Sequence, residues 1–336
     1  MKTALGYGLR LIFAATLVAC GAGTNPPSPG GGDTQTGAQG VHDPAMARQG
    51  STYYVSSTGR ALTGHLPIRC STDLKTWSEC GRVFTDIPAW IKQDIPDVET
   101  LWAPDISFFS GKYHVYYSAS TFGKNRSIIG LATSPTLDPQ SPDYAWLDEG
   151  KVVESFPADD WNAIDPNLMM DEQGRAWLAW GSFWSGIKMR RIDPATGKLS
   201  AEDASLYSLA TRPRDPPING SIEAPFVFQH GAFYYLFVSF DFCCRGADST
   251  YNVRVGRSTE PNGPYVDKNG VAMLEGGGTL LVQGSQAWRG PGGQSGARVD
   301  GSDLLVYHAY SATTGKPSLK ISTIRWVADW PEASGP

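Results

Sequence analysis

Four short segments place a carboxylate beside a proline: His42-Asp43-Pro44, Ala103-Pro104-Asp105, Ile164-Asp165-Pro166 and Glu223-Ala224-Pro225. Their acids are 62, 60 and 58 residues apart. Paired carboxyl groups suit hydrolysis of a glycosidic bond: one protonates the leaving oxygen, the other activates water or attacks directly. The donor must keep its proton near neutral pH, through burial or a neighbouring negative charge. A third acid can supply that charge. One Asp-Pro alone is a common turn signal. Four at matched spacing, beside Trp102, Ile164 and Ile222, point to partly buried acids with a task.

After each acid comes an aromatic, alternating run: Thr52-Tyr53-Tyr54-Val55, Lys112 to Tyr117, Ala176-Trp177-Leu178-Ala179-Trp180 and Phe233 to Phe237. A fifth run, Leu304 to His308, follows Gly290-Pro291-Gly292-Gly293. A fixed period of this size marks a repeat architecture. Short β-rich runs bounded by Gly, Asn, Asp and Pro, such as Ser127–Ala132 and Tyr251–Arg257, make the chain all-β. Five such units fit a five-bladed β-propeller. A β-sandwich leaves the period unexplained. The reading places the acids at equivalent positions, opening the innermost strand of each blade and ringing one mouth of the channel.

The chain has 336 residues and a net charge of −5, without a Lys/Arg block, which argues against nucleic acid as a partner. Eleven Trp, fourteen Tyr and thirteen Phe serve hairpin packing, with a minority left for a groove. Lys2 and Arg10 precede an apolar stretch, Leu11 to Ala19, too short to span a bilayer. It ends Leu17-Val18-Ala19-Cys20, which resembles a bacterial lipobox with lipid on Cys20. Residues 1–20 then form a lipoprotein signal peptide, 21–38 a flexible Gly/Pro/Ser tether, and 39–336 the propeller. The expectation is an exported, membrane-anchored monomer, periplasmic or at the cell surface; a plain secretory signal is the alternative. Cys70 and Cys80 could close a short loop, and Cys243–Cys244 could form a vicinal disulfide or stay as thiols. No cysteine has metal-site spacing with a histidine.

From about Val41 to Trp326 the chain resembles glycoside hydrolase family 43, and within it the endo-1,5-alpha-L-arabinanases. The resemblance rests on Trp102-Ala103-Pro104-Asp105-Ile106, Ser120-Thr121-Phe122-Gly123, Asn162-Ala163-Ile164-Asp165-Pro166-Asn167, Gly181-Ser182-Phe183-Trp184-Ser185-Gly186-Ile187 and Ser239 to Gly246, in that order. It implies inverting hydrolysis of arabinan, with Asp43 as general base, Glu223 as general acid and Asp165 as the carboxylate that tunes the donor. It implies substrate contacts at Asn162, Ala163, Ile164, Ser182, Phe183 and Trp184. Trp102 and Phe122 are further stacking candidates, or packing residues; Asp105 contacts sugar or caps a strand. An exo-acting arabinofuranosidase or xylosidase, or a carbohydrate-binding propeller without catalysis, are the alternatives. No cofactor is required for the chemistry. Many relatives carry Gly-Pro-Gly-His in the fifth blade, reaching an ion in the channel. This chain has Gly290-Pro291-Gly292-Gly293-Gln294, so a structural ion there is of unknown identity, with His308 or Gln294 as substitutes.

Overall fold

The computed structural model describes Met1 and residues 35–61 and 64–336. Its strands form five antiparallel sheets, arranged as the five blades of a propeller. The innermost strands are Ala45–Gln49, Trp102–Phe109, Asn167–Met170, Ile222–His230 and Trp288–Val299 in blades I to V. Each touches the innermost strands of both neighbouring blades, which closes the ring. The aromatic runs form the second strands: Thr52–Ser56, Lys112–Ala119, Ala176–Trp180, Phe233–Phe240 and Ser302–Ser311.

These strands are apolar on both faces because a blade is buried on both faces. Side chains alternate across a strand, so Tyr116 faces blade III while Tyr117 faces blade I. Likewise Tyr234 packs toward blade III and Tyr235 toward blade V. The core is therefore five apolar layers, one at each seam between blades. Blades V and I meet through Val299, Leu304 and Val306 against Met46, Tyr53 and Val55.

The N-terminal boundary differs from the sequence expectation. Gln35–Ala38, assigned to the tether, belongs to the propeller. Thr36 donates its N–H to the Lys75 carbonyl and accepts from the Trp77 N–H in blade I. The Gly40 N–H bonds the Pro317 carbonyl, and the Leu319 N–H bonds the Ala38 carbonyl, in blade V. Ala38 and Val41 are buried in the V–I layer. Apolar burial and backbone pairing thus outweigh the Gly- and Thr-rich composition. The signal peptide, Cys20 and the rest of the tether lie outside the described residues. Both cysteine pairs are disulfides, Cys70–Cys80 and Cys243–Cys244.

Candidate active site

At the mouth of the channel each innermost strand has a kink, at or near its start in blades I to IV and midway along it in blade V. Asp43, Ala103, Asp165, Ala224 and Gly293 all adopt left-handed backbone, with φ of 48°, 39°, 58°, 53° and 56°. Proline follows the first four. In blades II, IV and V the pairing register skips here, between Trp102 and Asp105, Glu223 and Phe226, and Gly292 and Ser295. Such bulges bend a strand and re-aim its side chains.

Every kinked residue has its N–H held by the preceding blade. Ala103 donates to Thr58 Oγ1 at 2.6 Å, and Asp165 to Ser118 Oγ at 2.9 Å. Ala224 donates to Asp165 Oδ2 at 3.0 Å, and Gly293 to Ser239 Oγ at 3.0 Å. Asp43 donates to His308 Nδ1 at 3.1 Å. Thr58, Ser118, Ser239 and His308 hold one position, just past or near the end of the second strand and opposite the residue before the kink. In blade III that position is Gly181, whose N–H bonds the Ile164 carbonyl. The Asp165 carboxylate takes over the acceptor's part there.

This register corrects the expected equivalence of the acids. Asp43 and Asp165 occupy the kink itself. Glu223 lies one residue before it and Asp105 two residues after. Asp105 is buried and accepts from Asn167 Nδ2 (2.9 Å), the Leu168 N–H (3.1 Å) and Ser107 Oγ (2.9 Å). Its carboxyl binds blade II to blade III rather than facing a sugar.

The remaining three acids interact but differ in protonation. Asp43 is 20% exposed. Its Oδ2 accepts from His42 Nδ1 at 2.7 Å and from Thr58 Oγ1 at 2.6 Å. Burial alone would raise its pKa, but the imidazoles and the Thr58 hydrogen bond bring it down to about 2. His308 is held well below the usual histidine range by burial and by His42, so it is neutral; His42 and Thr58 are the partners that matter. Burial lowers the His42 pKa, but Asp43 and Glu223 outweigh it and the net shift is upward.

Glu223 is buried, and its Oε2 accepts from Ser182 Oγ at 2.5 Å. Burial, reinforced by the Asp43 charge, pushes it up to about 7 against the Ser182 bond and His42. Asp165 is raised well above the ordinary range by burial and by the charges of Glu223 and Asp43. One carboxylate is thus ionised while its neighbours keep protons, the division that separates a base from an acid.

The candidate sugar contacts fall into two groups. Ala163 is fully buried, so it supports the loop and does not reach a ligand. Asn162 and Ile164 are nearly as buried; Asn162 Oδ1 accepts from Ser127 Oγ at 2.6 Å. Ser182 directs its hydroxyl at Glu223 and orients the acid instead of a sugar. The rings remain accessible: Trp102, Phe183 and Trp184 are partly buried and Phe122 is 82% exposed. Phe122, Phe183 and Trp184 lie on the connections from second to third strand in blades II and III, as Ser182 does. Phe242, on the same connection in blade IV, joins them: its ring is 6.1 Å from Phe183 and under the Arg245 guanidinium at 4.1 Å. Phe242 lies within the Ser239 to Gly246 motif, where its type and spacing alone do not mark it as a groove residue.

A histidine at position 293 does not fit the channel mouth. A Cβ on Gly293 would lie 2.3 Å from Asp43 Oδ1 and 2.8 Å from His308 Cε1. His308 is no substitute. Its Nδ1 lone pair accepts the Asp43 N–H, so in the neutral ring Nε2 carries the hydrogen and cannot ligate a cation. Gln294 is engaged by Ser239 Oγ at 2.9 Å and the Ala224 carbonyl at 2.5 Å.

The sequence profile of Glycosyl hydrolases family 43 matches residues 36–331. Extracellular endo-alpha-(1->5)-L-arabinanase 1 of Bacillus subtilis is 44% identical over 293 residues, covering 87% of each chain. Extracellular exo-alpha-(1->5)-L-arabinofuranosidase ArbA of Cellvibrio japonicus is 43% identical over 302 residues, covering 87% of this chain and 86% of that one. The solved structure of Cellvibrio cellulosa alpha-L-arabinanase complexed with arabinohexaose superimposes with a TM-score of 0.82 at 42% identity, covering 88% of this chain and 96% of that one.

The crowding at Gly293 is testable. Gly293→Ala puts a methyl group in left-handed backbone against Asp43 and His308. It should cost about 1–3 kcal/mol of stability and lower turnover. Thermal melting and rates at wild-type values would show that the mouth has room for a side chain at position 293.

Proposed function

The chain belongs to glycosyl hydrolases family 43, and on that premise we propose that it hydrolyses internal alpha-1,5-L-arabinofuranosyl bonds of arabinan with inversion. The observation that carries the mechanism is the contrasting setting of Asp43 and Glu223: His42 and Thr58 hold Asp43 Oδ2, whereas Glu223 is buried against the Ser182 hydroxyl. Asp43 is the general base. Its Oδ2 holds two donors, which leaves Oδ1 to take a proton from water. Glu223 is the general acid. Ser182 fixes Oε2, and the proton it retains goes to the leaving oxygen.

Asp165 fixes the backbone just after the acid through the Ala224 N–H. It also shares charge with Glu223: the first proton lost from the pair makes the second harder to remove. Phe122, Phe183, Trp184 and Phe242, with Trp102, offer ring faces to furanose units. The arabinanase and arabinohexaose relatives support arabinan as substrate. An exo-acting enzyme is the second reading, favoured by the 43% identity to the exo-acting relative.

For the N-terminus, the Leu17-Val18-Ala19-Cys20 segment supports a lipid-anchored, exported enzyme on a short tether. The relatives' description as extracellular supports export.

Product analysis on linear arabinan decides the bond attacked. Wild type should release short arabino-oligosaccharides; arabinose alone would establish the exo reading. Glu223→Gln should reduce turnover by about 10²-fold or more with folding intact. A carboxyl group with pKa about 7 holds its proton below that pH. kcat/KM should therefore fall above about pH 7, while protonation of Asp43 limits the rate only near its pKa of about 2. A flat profile well into the alkaline range would remove Glu223 as the donor. Cys20→Ser should move the protein from the membrane pellet to the soluble exported fraction; continued pelleting would rule out lipid at that residue.

A further inference from the structure

Behind Asp43 a hydrogen-bonded chain runs outward to the vicinal disulfide. The Cys244 N–H donates to the Tyr310 hydroxyl at 3.0 Å. That hydroxyl lies 2.6 Å from His42 Nε2, and His42 Nδ1 lies 2.7 Å from Asp43 Oδ2. His42 is clamped between rings: His308 stacks on it at 3.8 Å, and Tyr310 meets it edge-on at 5.8 Å. The titratable groups facing His42 are Asp43, Glu223, His308 and Tyr310, and Cys244 Sγ is 3.8 Å from its Nε2. The catalytic roles proposed above use neither Tyr310 nor Cys244.

The proton positions follow from the partners. A lone pair on His42 Nδ1 against the Asp43 carboxylate would repel it, so Nδ1 carries a hydrogen. In a neutral ring Nε2 then accepts from the Tyr310 hydroxyl. In an imidazolium Nε2 donates to the same oxygen, whose second lone pair still takes the Cys244 N–H. A hydroxyl serves both states; a one-way donor or acceptor serves one.

We propose that Tyr310 is a positioning residue for the base, and that the Cys243–Cys244 loop anchors it. Its hydroxyl keeps His42 Nδ1 aimed at Asp43 Oδ2 in either protonation state, which leaves Oδ1 for water. The disulfide joins the adjacent cysteines in a small ring with their peptide bond. It holds the Cys244 N–H on Tyr310 although Cys244 itself is exposed. The inference rests on Asp43 acting as the base.

The test is Tyr310→Phe, which removes only the hydroxyl. On arabinohexaose, kcat should fall roughly tenfold with KM within about twofold, and the acid limb should move up toward the ordinary carboxyl range. Without any substrate, NMR should show the His42 nitrogen resonances shift and Asp43 titrate at higher pH. Cys243→Ser/Cys244→Ser, which frees the loop and spares the core, should move the same observables in the same direction. Unchanged kcat, acid limb and His42 resonances in well-folded Tyr310→Phe would overturn the proposal. Failure of wild type to cut arabinohexaose would instead count against the substrate reading, while the NMR result would still decide the role of Tyr310.

Discussion

Five backbone hydrogen bonds, one across each seam at the mouth, hold the site together. Each innermost strand turns through a left-handed residue, a conformation that costs a non-glycine residue about 1–3 kcal/mol. The preceding blade captures the exposed N–H of that residue. Strain and capture therefore depend on each other around the whole ring. Two of the five kinks carry carboxylates and a third directs the carboxylate just before it. The same backbone device that closes the propeller brings Asp43, Asp165 and Glu223 within electrostatic reach of one another. Blade III, where Gly181 leaves no side chain, makes Asp165 an acceptor in the ring as well as an acid in the site.

Hydrogen-bond count does not set the charge state of these acids. Asp105 accepts from three groups, yet burial still lifts it to about 6. Asp43 accepts from two side chains and falls to about 2. The difference is His42, an imidazole that carries positive charge against the carboxylate. Glu223 accepts only from a neutral hydroxyl, Ser182, and although His42 also lowers its pKa, burial and the Asp43 charge prevail. The chemistry of the mouth thus follows from which acid was given the histidine.

The fold was legible because both its signals are periodic. A blade sandwiched on both faces needs an apolar second strand, and the acid-proline segments recur once in each of the first four blades. The exact register was not legible, since a bulge adds residues without changing composition: Asp105 looked equivalent to Asp43 and is not. Ala163 and Ser182 sit in the right motifs but face inward, where only neighbouring strands reveal their direction. Thr58, Ser118, Ser239 and Tyr310 carried no signal of their own. A lone hydroxyl near a strand end is common, and its meaning here comes from a residue in the next blade. The Gly293 departure was visible as a missing histidine; that Asp43 and His308 leave no room there was visible only in three dimensions.

The seam between blades V and I joins residues from opposite ends of the sequence. Asp43 takes its N–H acceptor, His308, from 265 positions away, and Ala38 to Gly40 pair with Pro317 to Leu319. Such contacts close very long loops, and the entropy cost of closing a loop grows with its length. Asp43 is among the first residues of the propeller in chain order, yet its backbone partner lies in the last blade. A copy that stops short of the fifth blade keeps all three acids yet lacks His308 and Tyr310 around Asp43. The setting of Asp43 is therefore complete only when the fifth blade has closed against the first.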